Sequence, residues 1–341
     1  MIYVLYIIHI MKIALVGPGI MTIPPVGWGA VEILIWDYFL ELTNQGHEVD
    51  IINKIRKSGA DQFPNTPYTK ELISEINAGN YDVVHIHYDC LCHIIPLLTA
   101  KKILITSHYP YIDQPDKHAG DGYQYIFQIM CQNKNHSIFA LSKKDYDAFV
   151  KNAFDPSNVY LLLNGANHNE IVPLDRKGLY SERTIYIGKV EARKKQKKYS
   201  SLTNVDFYGK CDDASFAKLG CYKGEKEQHS ELMGIMREYG NLALLSDGEN
   251  GTPLVIKEAL MAGLPVVINK HSANDLDPNL PFVDIIPDDK LDDFEYIERI
   301  LQESRNKGNR DEIRKYAVDN FSWETLVKTY ITNIGILQQP Y

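Results

Sequence analysis

The sequence predicts an α/β protein made of two doubly wound, Rossmann-like domains that face each other across a cleft. Its 341 residues are too many for one typical core and suit two α/β domains. Short apolar runs alternate with stretches of helical periodicity, and glycine-rich turns follow several of these runs. Ligands of such sheets bind beyond the carboxyl ends of the strands, so the cleft is the expected site.

The first half of the chain begins this pattern. Strand Ile13–Val16 runs into Gly17 and Gly19, and a helix follows from about Val31 to Asn44. The third glycine of a dinucleotide fingerprint is missing, which argues against a nicotinamide cofactor. Further strands are expected at 83–87, 103–106, 138–142 and 159–163, and residues 109–125 read as a long loop leading into a helix.

The histidines near these strand ends allow more than one interpretation. His85 and His87 fall on one face of a strand, with Cys90, Cys92 and His93 nearby. A metal site can be imagined there, but nothing fixes a tetrahedral ligand set, and a strand-end histidine usually packs or hydrogen-bonds. We therefore predict no metal site.

The second half repeats the alternation. Strands are expected at 184–187, 205–210 and 242–245, the sequence is irregular from Ile268 to Asp288, and helices follow. Ser322 is a natural N-cap for a final amphipathic helix that runs to about Leu337.

The most informative stretch, residues 245–267, reads as strand, glycine loop, short helix and second strand. Thr252 is expected to cap the helix, Pro253 to occupy its first turn and Gly263 to end it. Free N–H groups at a helix start attract phosphate or sugar oxygens, and the tilt of helical side chains aims Glu258 back at the same mouth. The stretch is therefore expected to place an anion-binding helix start next to a carboxylate that can accept hydrogen bonds from hydroxyl groups.

Composition limits the partners. The chain has 36 Lys and Arg against 44 Asp and Glu, a net charge of −8, which argues against nucleic acid because phosphate binding needs a basic surface. Its 5 cysteines show neither paired zinc spacing nor the density of a disulfide scaffold, so a reducing cytoplasm is the simplest compartment.

The apolar leader, residues 1–10, is too short to span a bilayer and lacks the features of a signal peptide. Three interpretations stay open: Met11 is the true start, the leader extends the first strand, or the leader makes a weak peripheral membrane contact.

The stretch around Glu258 resembles the signature of the retaining, nucleotide-sugar-dependent glycosyltransferases of family 4 (glycosyltransferase group 1), which have the glycosyltransferase-B fold. In that family two glutamates, eight positions apart, flank a glycine-rich turn. Glu258 matches the second, which binds the ribose of the nucleotide. For the first, which binds the donor sugar, strict spacing gives Asn250, whereas Glu249 fits if the turn is one residue longer. The resemblance adds Gly251, Thr252 and Leu254 to the donor-binding residues.

Other motifs are similar to the family and follow its order. Gly29 and Ala30 stand where two glycines usually face the donor phosphates. Lys189 and Lys194 take the places of an arginine and a lysine that grip the diphosphate, although a lysine lacks the planar fork of arginine.

Three further positions complete the set that the resemblance implies. Gly188 precedes Lys189, and Gly209 ends a strand that meets the nucleotide base in the family. Ser107-His108 is similar to the threonine-x-histidine of the family's reaction centre; the alternative is a histidine bonded to a neighbouring loop. The assigned catalytic set is therefore His108, Lys189, Lys194 and Glu258.

The resemblance implies three segments: an acceptor-side domain at 1–170, a nucleotide-sugar-binding domain at 171–320, and a helix at 321–341 that packs back on the first domain. It implies transfer of a sugar from a nucleoside-diphosphate donor, with retention, to a hydroxyl of a glycan or lipid-linked acceptor, in polysaccharide or glycan biosynthesis. No metal is required, since lysines and the helix dipole supply positive charge. The alternatives are an epimerase or phosphorylase of the same fold and an inactive sugar-nucleotide-binding subunit.

Overall fold

The computed structural model describes residues 10–27 and 29–335, which form two parallel β-sheets surrounded by helices. The predicted fold class is therefore confirmed. Residues 1–9 of the leader, Trp28 and the predicted end of the last helix near Leu337 lie outside the described residues. Within the described ranges, no helix combines the length and the apolar character that a bilayer crossing needs.

The first sheet has six parallel strands in the order β2-β1-β3-β4-β5-β6. The strands are β1 Lys12–Val16, β2 Glu48–Ile52, β3 Val83–Ile86, β4 Lys102–Thr106, β5 Ser137–Ala140 and β6 Val159–Leu161. Its helices are α1 Ala30–Asn44, α2 Pro67–Ala78, α3 Pro115–Asp121, α4 Gln124–Cys131 and α5 Lys143–Asn152. Along β1, Ala14 and Val16 enter one core cluster while Ile13 and Leu15 enter another, so both faces of the sheet are covered.

The second sheet has five parallel strands in the order β11-β10-β9-β7-β8. The strands are β7 Tyr180–Ile187, β8 Val205–Tyr208, β9 Tyr239–Leu244, β10 Val266–Asn269 and β11 Val283–Ile286. Its helices are α6 Gln196–Tyr199, α7 His229–Met236, α8 Leu254–Met261, α9 Lys270–Ala273, α10 Phe294–Ser304 and α11 Arg310–Phe321, and α12 Trp323–Asn333 follows.

Two stretches differ from the sequence prediction. The segment expected to be irregular from Ile268 to Asp288 contains the edge strand β11 and the short helix α9. The segment 109–125, expected to be a long loop leading into a helix, already contains the seven-residue helix α3 before α4 begins. These elements are four to seven residues long, too short for a hydrophobic period to stand out.

The chain passes between the two sheets twice, and the two crossing segments lie side by side. The Ala166 N–H of the first segment donates to the Phe321 carbonyl of the second at 3.0 Å. After the second crossing, α12 packs on the first sheet, where Trp323 and Tyr330 share a core cluster with Leu15. The Trp323 Nε1–H also donates to the Asp37 carboxylate at 2.9 Å. The last helix therefore belongs to the core of the first sheet.

Helix α8 of the second domain is fastened to the same crossings by Lys257. This side chain is 1% exposed, and its Nζ donates to the Asn164 carbonyl at 2.6 Å. The amine also lies over the Phe321 ring, 5.3 Å from its centroid. Burial lowers the pKa of Lys257 to about 7, although nearby Asp275 acts in the opposite direction.

We expect Lys257→Met to change the pH dependence of stability. Because the folded-state pKa falls from its usual 10.5 to about 7, the unfolded chain binds a proton in that window that the folded chain lacks. Wild-type stability therefore gains a contribution as pH rises through the window, and the variant should lose that contribution. Urea unfolding of both proteins across the window measures the difference. Lys151→Met, at an exposed position of α5, is the control; identical profiles for wild type and K257M would contradict the expectation.

Candidate functional site

The candidate site lies where the carboxyl ends of β4 and β5 meet the turn that follows β9, residues 245–253, called here the donor loop. The Asn250 Nδ2–H donates across the cleft to the carbonyls of Ser107 at 2.8 Å and Tyr109 at 3.1 Å. Gly251 has a φ of +62°, and a Cβ there would lie 2.5 Å from the Leu141 carbonyl oxygen. Only glycine permits this approach.

Glu249 points away from that contact, into a buried cluster of charges. Its Oε1 lies 2.5 Å from the Lys194 Nζ, and its Oε2 lies 3.2 Å from an Arg193 guanidinium nitrogen. Burial raises the pKa of Glu249, but the two cations outweigh burial and lower it below the usual value. Glu249 is therefore an ionised partner of Lys194.

The two candidates for the first acidic position of the motif thus occupy different places. Asn250 spans the cleft, whereas Glu249 lies in the charge cluster.

The charge cluster also includes Lys194 and Arg193. Burial lowers the pKa of Lys194 below its usual value, although the neighbouring Glu249 carboxylate raises it. Arg193 also donates to the Gly248 carbonyl at 2.5 Å and therefore ties the donor loop to the segment after β7.

Gly188, Lys189 and Gly209 form a second group at the ends of β7 and β8. Gly209 has a φ of +132°, and a Cβ on it would collide with the Gly188 carbonyl. Lys189 is half-exposed and lies 3.9 Å from Asp212, apart from the buried pair of Lys194 and Glu249. The two predicted diphosphate lysines thus have different surroundings, one near solvent and one in the interior.

The prediction that Thr252 caps α8 is wrong. The helix begins at Leu254 with Pro253 as its N-cap, and the Thr252 hydroxyl donates instead to the Ala273 carbonyl at 3.3 Å. Pro253 is therefore outside the first turn. Among the described residues, the N-cap makes no side-chain cap hydrogen bond, so the first N–H groups of this helix stay available to an acceptor. Gly263 follows the helix end at Met261, as predicted.

Glu258 is buried on α8 and accepts a hydrogen bond at Oε1 from the His229 Nε2–H at 2.7 Å. The other ring nitrogen, Nδ1, lies 3.9 Å from Glu170, in the segment that links the sheets. Burial alone lowers the pKa of His229, but the two carboxylates outweigh it and raise the pKa to about 10. His229 is therefore an imidazolium at neutral pH. The sequence analysis missed it, since nothing local distinguishes it.

His108 lies just beyond β4, on the first-domain side of the cleft. Within the described residues its Nε2 is buried without a hydrogen-bond partner, and burial lowers its pKa to about 4. The ring is therefore neutral at pH 7. It lies 6.1 Å from the His87 ring, while His93 contacts the Gln62 carbonyl elsewhere. No group of three or more His, Cys, Asp or Glu within the described ranges could hold a metal ion.

The start of α1 and an aromatic loop complete the walls of the cleft. Gly29 and Ala30 stand at the start of α1, and nearby the Gly27 N–H donates to the Glu227 carbonyl of the second domain at 2.6 Å. Tyr109 stacks on Tyr123 with ring centroids 3.9 Å apart. Tyr111 lies so close to Gly248 that any side chain at that position would collide with its ring.

Lys144, at the start of α5, is another cation that the sequence analysis missed. Its Nζ donates to the Glu249 carbonyl at 3.2 Å across the cleft and lies 3.7 Å from Asp113. Leu254, partly buried, packs against the cores of both domains. The donor loop and the start of α8 are thus held from both sides.

Comparison with solved structures shows that the chain has the glycosyltransferase-B fold, which several two-domain glycosyltransferases share. AviGT4, a glycosyltransferase involved in avilamycin A biosynthesis, aligns with a TM-score of 0.69 and 14% identity over 96% of this chain and 98% of its own. Sucrose-phosphate synthase from Thermosynechococcus elongatus aligns with a TM-score of 0.73 and 14% identity over 94% and 98% of the two chains.

HepE from Anabaena, in complex with UDP and glucose, aligns with a TM-score of 0.68 and 14% identity over 95% of this chain and 99% of its own. No protein-family model and no curated sequence matches the chain. At this level of identity the likeness establishes the fold.

We expect Glu249→Gln to destabilise the protein, because the substitution leaves the Lys194 ammonium buried beside a neutral amide. Removing one partner of a buried ion pair costs about 3 kcal/mol, and the two side chains are only 13% and 9% exposed. The free energy of unfolding from urea titration measures the loss. Adding Lys194→Met should restore part of the stability.

Glu324→Gln is the matched control, because its pair with Lys328 is exposed on both sides. It should change stability by less than about 0.5 kcal/mol. An equally small effect of E249Q would show that the buried pair contributes nothing.

Proposed function

We propose that this protein is a retaining, family 4-type glycosyltransferase that moves a sugar from a nucleoside-diphosphate donor to a hydroxyl of a glycan or lipid-linked acceptor in the cytoplasm. The observation that carries the proposal is the convergence at one cleft of an uncapped helix start, a buried lysine and a buried glutamate, on the glycosyltransferase-B fold. HepE, which has this fold, binds UDP and glucose.

In this proposal the donor diphosphate lies at the start of α8, near Gly251 and Thr252. Main-chain N–H groups there favour an anion. Lys189 and Lys194 stabilise the negative charge that develops on the departing diphosphate. Because Glu249 already neutralises part of the charge of Lys194, the half-exposed Lys189 carries the larger share of phosphate contact. No metal is required in this scheme.

Glu258 accepts the ribose hydroxyls, since its carboxylate is buried on the first turns of the same helix. Asn250 is the better candidate for the donor-sugar position, because it lies in the cleft and its Oδ1 is buried without a partner among the described residues. Glu249 instead has both oxygens beside cations. Neutral His108 contacts the donor sugar near the transfer point from the other domain.

The acceptor side is formed by the loop that carries Tyr109 and Tyr111. Both rings are partly exposed at the cleft, and tyrosine rings suit the apolar faces of sugars. In the transfer the bond from the anomeric carbon to the diphosphate breaks and its electron pair leaves with the diphosphate. The acceptor oxygen bonds to that carbon, and the acceptor hydroxyl gives its proton to the departing diphosphate.

A thermal-shift screen against UDP, ADP and GDP and their sugar conjugates, first without metal and then with magnesium, tests the proposal. Binding to the folded state raises the melting temperature. We expect one nucleotide series to shift it without metal. Lys194→Ala and Glu258→Ala should each weaken that ligand by about tenfold or more, whereas Glu231→Ala, at a more exposed site beside α7's start, should not.

Three outcomes would contradict the proposal. Unchanged affinity in K194A and E258A would place the donor elsewhere. Conversion of the donor without any acceptor would favour an epimerase, and a requirement for inorganic phosphate would favour a phosphorylase. Binding that never leads to turnover with glycan or lipid-linked acceptors would favour an inactive binding subunit.

A further inference from the structure

We propose that His229 is a positioning residue that fixes the Glu258 carboxylate for the ribose hydroxyls and ties it to Glu170 in the segment between the sheets. The inference rests on the proposed function, because it assigns a role to a residue that acts through the proposed ribose acceptor. No sequence motif includes His229, which lies 29 residues before Glu258, too far along the chain for a local pattern to link the two.

The geometry places His229 between two carboxylates. Its Nε2 lies 2.7 Å from Glu258 and its Nδ1 lies 3.9 Å from Glu170. The Glu258 side chain is 6% exposed and that of His229 is 20% exposed, so solvent screens this pair weakly. A doubly protonated imidazole presents an N–H toward each carboxylate; the Nε2–H donates to Glu258, and the 3.9 Å contact with Glu170 is an ion pair. The ring is thus a charged bridge between helix α8 and the linking segment.

The bridge leaves one carboxylate oxygen for the ligand. The Glu258 Oε1 is taken by His229, and within the described part of the chain the second oxygen accepts no hydrogen bond. The terminal torsion of a glutamate is broad, so an unheld carboxylate samples many orientations. The hydrogen bond to Oε1 restricts this torsion, so Oε2 is held in one position and can accept from ribose hydroxyls.

The surrounding charges explain why a cation is needed. Asp37 on α1 is buried close enough to interact electrostatically with His229, Glu170 and Glu258. The Glu170 and Glu258 carboxylates, which face the two ring nitrogens, would repel each other without the imidazolium. Replacing His229 therefore releases the Glu258 carboxylate and removes the cation between it and Glu170.

The start of α7, where His229 stands, is itself held in place by the first domain. The preceding loop accepts the Gly27 N–H at the Glu227 carbonyl, at 2.6 Å. The ring is therefore positioned from the loop after β1, from the linking segment and from α8. A ligand that binds Glu258 thus contacts a carboxylate that is hydrogen-bonded to His229, and the position of His229 depends on both domains.

A double-mutant cycle tests the inference, with binding of UDP, ADP and GDP measured by calorimetry and inorganic pyrophosphate as the ribose-free probe. We expect His229→Leu, whose side chain has no N–H donor, to weaken the bound nucleoside diphosphate by about fivefold or more, and pyrophosphate by less than about twofold. In a Glu258→Gln background the same substitution should have almost no effect. His229→Gln, whose amide keeps N–H donors without the charge, should recover part of the affinity, and Glu231→Gln is the control.

Equal losses for nucleoside diphosphate and pyrophosphate, or additive losses in the cycle, would overturn the inference while leaving the proposed function intact. Failure of folded wild-type protein to bind any of the three nucleotides would overturn both. Imidazole NMR of the ligand-free protein is independent of ligand and of variant folding. The pKa of His229 should lie well above its usual 6.5, and an ordinary titration near 6.5 would show that the bridge does not exist.

Discussion

Gly251 of the donor loop allows the two domains to approach closely. A side chain there would strike the Leu141 carbonyl, and its φ of +62° is one that other residues rarely adopt, whereas a side chain at Gly248 would meet only the end of the Tyr111 side chain. Because the backbone can approach this closely, Asn250 reaches the main chain beyond β4, and Lys144 reaches the Glu249 carbonyl. The polar contacts across the cleft thus require the close backbone approach at Gly251, and the charges act only once that approach is made.

Charge is distributed around this contact in two separate units. Glu249, which precedes α8, is paired with Lys194 and Arg193, and Glu258, within α8, is paired with His229. A buried carboxylate without a partner would be protonated or expelled, so each pairing preserves an anion and also limits its rotamers. The organisation of the cleft therefore precedes any ligand, which reduces the ordering that a ligand must impose.

Sequence patterns predicted the elements with long or strongly apolar signals and missed those defined by distant contacts. The buried strand around Val84 and the helix from Ala30 to Asn44 are clear in the sequence, whereas the four-residue strand β11 at the sheet edge is not. Thr252 was expected to be a cap because serine and threonine favour that position, but its hydroxyl found the Ala273 carbonyl instead. Glu258 could be singled out by spacing, while His229 and Lys144 could not, since their contacts exist only after the chain folds.

The position of α12 has a consequence for how the protein is made. The ribosome completes residues 12–161, and with them all six strands of the first sheet, long before Trp323 and Tyr330 exist. Until then the α1 face around Asp37 and Tyr38 lacks the side chains that cover it in the folded protein. The core of the first domain is therefore complete only after the end of the chain has been made. Independent domains generally fold in the order of their synthesis, and this protein is expected to depart from that order.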